Sequence, residues 1–238
     1  MPGLHRLPPT VTLWPGRYGR QRRGVNITGT IDIDDLLIVD WVLKKGAISV
    51  SNRLILISHA PTAATRSPAF PRDEPLDAHG LADATALAGA LPRADDVRCG
   101  PALRCTQTAT ALGLTPAVDE GLRDGELGRW AGRTLDDVAA DEPNAVAAWL
   151  TDPAAAPHGG ESLHDLLDRT GGWLRAVPDK GRTVIAVTHP MVIRALVVNA
   201  IAATPASFWR IDIAPLTKTV LRGGAGRWTL RATASPLR

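Results

Sequence analysis

The sequence predicts an α/β fold: a three-layer α/β/α sandwich on a mostly parallel sheet, with a small helical cap insert. Three observations carry this. Apolar runs of strand length at 53–58 and 183–188 alternate with Ala/Leu-rich stretches of helix length. Both runs are almost continuously apolar, as strands covered on both faces are. Both also end alike, in Ser58-His59-Ala60-Pro61 and Thr188-His189-Pro190. The C-terminal edges of parallel strands face one side, where open α/β sheets hold ligands. His59 and His189 are therefore expected to approach each other across a long stretch of chain.

Taken in order, residues 1–50 stand apart from the rest of the chain. Residues 1–30 are rich in Pro, Gly and Arg and lack an amphipathic period, which predicts a disordered arm. The apolar run 31–43 has the composition of a strand or short helix. Lys44-Lys45-Gly46-Ala47 can be encoded by a purine-rich, ribosome-binding-like stretch, and Val50 can be read from GTG. Residues 1–49 are accordingly expected to be an upstream artefact, with the domain occupying 51–238. An intact mass matching all 238 residues would contradict this.

From there the pattern predicts strand 53–58, a long loop 61–80, helix 81–91, short strand 97–99, helix 103–112 and strand 117–119. A glycine-containing loop comes next at 121–133. Helices at 135–140 and 144–150 form the cap insert, with Pro143 suited to a first turn. His158-Gly159-Gly160-Glu161 interrupts the chain, and Ser162 caps a helix reaching 176. Strand 183–188, helix 191–201 and two late strands at 217–221 and 228–232 complete the order, the last pair joined by a Gly-rich turn at 223–226.

Composition excludes several classes. Of the formal charge of +3, residues 1–23 carry Arg6, Arg17, Arg20, Arg22 and Arg23 with no acid, so the remainder is near neutral and does not predict a nucleic-acid binder. Two cysteines, Cys99 and Cys105, make no disulfide framework and no zinc spacing, and read as reduced thiols of a cytoplasmic protein. No stretch approaches the ~18 apolar residues of a membrane span, and no apolar signal-peptide core follows the N-terminal arginines.

The histidine pair points to phosphorus chemistry rather than to a metal. A neutral imidazole is a nucleophile toward phosphorus. It then needs cations or N–H groups around the phosphoryl oxygens and an acid for the leaving oxygen. Arg104 is the leading cation, at the start of a helix after a strand, where N–H groups also face an anion. Asp124 and Glu126 share one loop, and either can be the acid. A cysteine-based phosphatase needs Arg six residues after its Cys, but the sixth residue after Cys99 is Cys105.

The order of these pieces resembles the histidine phosphatase superfamily, phosphoglycerate mutase-like branch. Ser58-His59-Ala60 stands where that branch has Arg-His-Gly. Pro75-Leu76-Asp77-Ala78-His79-Gly80 is similar to its Pro-Leu-Thr-x-x-Gly. The stretch from Gly100 to Ala109 matches Ser-x-x-x-Arg-x-x-Gln-Thr-Ala, and that from Leu122 to Gly132 matches Leu-x-Glu-x-x-x-Gly-x-x-Glu-Gly. Gly159-Gly160-Glu161-Ser162 and Val187-Thr188-His189 are intact.

The resemblance implies a metal-independent phosphomonoesterase without a cofactor, acting on a small phosphorylated metabolite. His59 becomes a phosphohistidine, Arg104 and His189 hold the phosphoryl oxygens, and Asp124 takes the place of the family's acidic Glu, with Glu126 as its alternative. Ser58 replaces the first phosphate-binding arginine, and Arg66 is the expected substitute. That replacement also motivates an alternative, a weakened member that binds a phosphoester or protein partner without turnover. The insert at 134–157 is expected to cap the pocket. Its scarcity of positive charge weighs against a bisphosphate substrate and against a mutase. A homodimer is compatible with the sequence.

Overall fold

A computed structural model describes residues 51–178 and 180–237. The expectations for residues 1–50 lie outside the described residues. Six strands form one sheet in the order β3-β2-β4-β1-β5-β6. They are β1 (Asn52–Ser58), β2 (Asp96–Cys99), β3 (Ala117–Val118), β4 (Thr183–Thr188), β5 (Thr217–Gly224) and β6 (Arg227–Pro236). The helices are α1 (Ala63–Arg66), α2 (Ala78–Ala86), α3 (Leu103–Ala111), α4 (Leu135–Asp141), α5 (Pro143–Thr151), α6 (Leu163–Ala176) and α7 (Pro190–Ala200). Short 3₁₀ turns occupy Glu120–Leu122, Gly128–Trp130 and Pro205–Arg210.

The sheet is mixed. Strands β1 to β4 pair in parallel, whereas β5 pairs antiparallel with β1 and β6 antiparallel with β5. The last two strands form a hairpin closed by Ala225 and Gly226, both at positive φ. Such a turn follows the right-handed twist of the flanking strands. It lets β5 and β6 run well beyond the expected 217–221 and 228–232.

Burial on both faces explains the near-continuous apolar runs. Leu54, Leu56, Val184 and Ala186 pack with α6 and α7 through Leu166, Leu174, Val192 and Leu196. The alternate residues Ile55, Ile57, Ile185 and Val187 pack on the other face with Cys105 and Ala109 of α3 and with Leu112 just after it. Successive side chains of a strand point to opposite sides, so one run supplies both interfaces.

Two expected boundaries differ. The loop 61–80 contains α1, where Thr62 caps the helix through Thr65 in a reciprocal capping box. Helix α2 begins at Ala78 rather than 81, because the Asp77 carboxylate accepts from Gly80 N–H and supplies the cap. It ends at Ala86, short of the expected 91. The insert does form two helices. Their side chains Val138, Ala145, Val146 and Trp149 pack on Phe70 and Trp130.

Candidate active site

Strands β1 and β4 are adjacent and in register, with Ser58 opposite Thr188. The residue after each is histidine, and the His59 and His189 rings meet edge-on with centroids 5.4 Å apart. His59 N–H donates to Thr188 O at 3.0 Å, so the nucleophile candidate leaves the sheet while still held by it. His59 Nδ1 lies 2.8 Å from Ala60 O. A carbonyl only accepts, so the proton sits on Nδ1 and the Nε2 lone pair is free. Burial, and then His189 beside it, lowers the His59 pKa from 6.5 to about 4. The imidazole is therefore neutral near pH 7.

Arg104 and Asp124 complete the group. Arg104 Nη2 donates to Asp124 Oδ2 at 2.7 Å, and Nη1 donates to Arg72 O. The same Asp124 oxygen lies 3.2 Å from His189 Nδ1. Burial alone would raise the Asp124 pKa, but His189 and Arg104 outweigh it and hold the carboxyl well below the usual carboxylate range. On its other side, His189 Nε2 is 3.3 Å from the buried Cys105 Sγ. Burial pushes that thiol far up, so Cys105 stays neutral.

The histidines are only 4% and 0% exposed. A cleft of about 490 Å³ opens beside them, lined by Arg72, Asp73, Arg104, Arg123, Asp124 and Glu126 among others. Arg104 and Asp124 thus stand between the imidazoles and the cleft. No residue of 134–157 is among those lining it. The insert instead buttresses the wall from behind, through Trp149 edge-on to Trp130 with ring centroids 5.7 Å apart.

Of the residues singled out from the sequence, Arg66 lies away from the cleft, and Ser58 lies beside His59 but faces the interior. The Arg66 side chain is 52% exposed and its Nε donates to Asp77 Oδ2 at 2.5 Å. It is absent from the cleft wall because the Asp77 carboxylate that caps α2 also holds it. Ser58 is fully buried, and its Oγ has no hydrogen-bond partner among the described residues. Glu126 lines the cleft, but its side chain is 67% exposed and sits 3.6 Å from Arg123 Nε, whereas Asp124 touches both Arg104 and His189.

Three supporting residues escaped the sequence reading. Thr108 Oγ1 accepts from Ala60 N–H at 2.9 Å and donates to Arg104 O at 2.7 Å, which ties the histidine turn to α3. Arg169 donates to both Glu161 oxygens, at 2.8 and 2.7 Å, and to the main-chain oxygens of Gly121, Arg123 and Asp124. It anchors the loop that carries Asp124. Cys105 abuts His189. The signal for Thr108 lay in the Gln-Thr pair after Arg104. Arg169 gave none, since its partners are main-chain oxygens distant in sequence. Among the described residues, no cluster of three or more His, Cys, Asp or Glu could hold a metal, and no helix is long and apolar enough to cross a membrane.

The chain is similar to known proteins in sequence and fold. The family model for the histidine phosphatase superfamily (branch 1) matches residues 54–235. A bifunctional protein of Mycobacterium tuberculosis is 31% identical over 185 residues, covering 72% of this chain and 51% of that protein. A glucosyl-3-phosphoglycerate phosphatase of Mycolicibacterium vanbaalenii is 35% identical over 123 residues, covering 45% of this chain and 53% of that protein. The chain spans about half the length of these curated relatives. Among solved structures, the native mycobacterial glucosyl-3-phosphoglycerate phosphatase superposes with a TM-score of 0.69 at 27% identity, over 78% of this chain and 99% of that one.

Proposed function

The chain belongs to the histidine phosphatase superfamily (branch 1), and from that premise we propose that it is a metal-independent phosphomonoesterase acting on a small phosphorylated metabolite. One observation carries the reading. His59 is neutral, its Nδ1–H is committed to Ala60 O, and its Nε2 lone pair is free beside His189.

In the first step, His59 Nε2 attacks phosphorus and the P–O bond to the alcohol breaks. Arg104 and His189 offer N–H groups to the equatorial oxygens, where negative charge must be held. Asp124 protonates the departing oxygen. In the free protein its carboxyl is ionised, because Arg104 and His189 both attend it. A phosphate dianion that takes over those two partners leaves Asp124 beside negative charge, and this raises its proton affinity. In the second step, a water attacks the phosphohistidine with Asp124 as base, the P–N bond breaks, and inorganic phosphate leaves.

The replacement at Ser58 supports a second reading. Without an arginine there, the site has fewer donors for the phosphoryl group, and loss of one such donor typically costs about 10²–10³ in rate. A weakened member would bind phosphoesters with little turnover. Hydrolysis of an aryl phosphate in EDTA, compared with His59→Ala, separates the two. The phosphatase reading expects turnover by the native chain, a loss of at least about 10³ in the variant, and a trapped phosphohistidine at His59. Equal release by both proteins rejects it.

A further inference from the structure

The cleft carries three arginines, and among the described residues only Arg72 has both terminal amino groups without a partner. Arg104 is engaged by Asp124, and Arg123 lies 3.3 Å from Glu161 and 3.6 Å from Glu126. Arg72 differs. Its Nε donates to Ala131 O at 3.1 Å, and neither Nη1 nor Nη2 has a hydrogen-bond or ion-pair partner among the described residues.

Arg72 is also seated. A Cβ on Gly132 would lie 2.2 Å from Arg72 Nε and 2.6 Å from Cζ, and Gly132 has φ +82°. Only glycine suits both the backbone and the guanidinium laid over it. The loop bearing Arg72 is fixed from both sides. Gly132 N–H donates to Phe70 O at 2.7 Å, and Phe70 N–H to Arg133 O at 2.9 Å. Leu103 N–H donates to Asp73 Oδ1 at 2.7 Å, and Arg72 N–H to Glu74 Oε2 at 2.7 Å.

We infer that Arg72 is a specificity-determining residue that reads a carboxylate on the leaving-alcohol half of the substrate. This rests on the phosphatase reading. Arg104 faces the imidazoles, so a phosphoryl group held there directs the rest of the ester into the cleft, whose Ala131 side carries the Arg72 guanidinium. Two free amino groups on a planar guanidinium match the two oxygens of a carboxylate. Asp73 and Glu126 line the same cleft and oppose a second phosphate, which would add roughly two negative charges. The positive charge missing from the helical insert is thus supplied by a loop, and it favours an acid rather than a bisphosphate.

The test compares esters that differ by one carboxylate: O-phosphoserine against phosphoethanolamine, and 3-phosphoglycerate against glycerol 3-phosphate. The native chain is expected to favour the carboxylated member of each pair by about tenfold or more in kcat/KM, mainly through KM. Arg72→Gln should bring that ratio close to unity, while Arg72→Lys keeps part of it. Because the readout is a ratio, a general loss of folding or rate does not imitate it. A native ratio near one, or a ratio unchanged in Arg72→Gln, would overturn the inference. Dissociation constants for the same pairs, measured on His59→Ala with and without Arg72→Gln, decide the matter independently of turnover. If no ester is hydrolysed, the phosphatase reading fails, while the binding ratio still accepts or rejects the role of Arg72.

Discussion

At the scale of single residues, proton positions decide what the site can do. His59 holds its proton on Nδ1 because Ala60 O can only accept it, and burial keeps the ring neutral. Of the two candidate acids, Asp124 and not Glu126 touches both Arg104 and His189. Asp124→Asn cannot donate a proton to the leaving oxygen, so its effect should depend on the leaving group. We expect a loss of about 10²–10³ in kcat for alkyl phosphates, and a much smaller one for p-nitrophenyl phosphate, whose phenolate leaves unaided. Equal losses on both substrates would assign the proton elsewhere. Ser58 makes a different prediction. Its buried hydroxyl has no partner among the described residues, and an unsatisfied buried group costs roughly 1–3 kcal/mol. Ser58→Ala is therefore expected to raise stability by about 1 kcal/mol in a urea titration, and a clear fall would show that the hydroxyl has a partner.

At the scale of elements, two loops from different parts of the chain build one wall. Glu161 N–H donates to Glu126 O at 2.8 Å and Arg129 N–H to His158 O at 3.0 Å. Arg169 then clamps Glu161 and the carbonyls around Asp124 from α6. Gly160 sits at the closest approach, since a Cβ there would fall 1.9 Å from Glu126 O. Gly160→Ala should push the Asp124 loop away, destabilise the protein by about 2 kcal/mol or more, and lower kcat further than the stability loss explains. Kinetics at a temperature where the variant remains folded, judged by circular dichroism, would check this; native kcat there would mean the loop packing does not set Asp124. The Gly-Gly-Glu-Ser stretch was visible as a break in the sequence. That its backbone packs against another loop was not, because such contacts depend on main-chain shape rather than on side-chain type.

At the scale of the whole molecule, buried titrating groups make stability depend on pH. The folded pKa of His59, about 4, lies below its unfolded value of 6.5. Between these values the unfolded chain binds a proton that the folded chain refuses, so stability falls as pH falls through this window. The lowered Asp124 carboxyl acts in the same direction at more acid pH, its contribution being lost as it protonates. Unfolding free energies at pH 7 and 4.5 should differ by about 2 kcal/mol on account of His59 alone, and His59→Phe should flatten that part of the dependence. An unaltered slope in the variant would mean that the ring takes up its proton in the fold as readily as in the unfolded chain. By itself, the sequence determined the two histidine-ended strands and the order of the elements, which follow from local apolar patterning, while the resemblance to a known family pointed to Arg104 and Asp124, with Glu126 as the alternative acid. Only the tertiary structure decided that Arg66 goes to Asp77, that the helical insert stands behind the cleft wall, and that Arg72 lies over Gly132 with two amino groups unpartnered among the described residues. A charged side chain takes its partner from whatever the fold brings within reach, and neighbours that meet through loops and backbone oxygens leave no periodic trace in the chain.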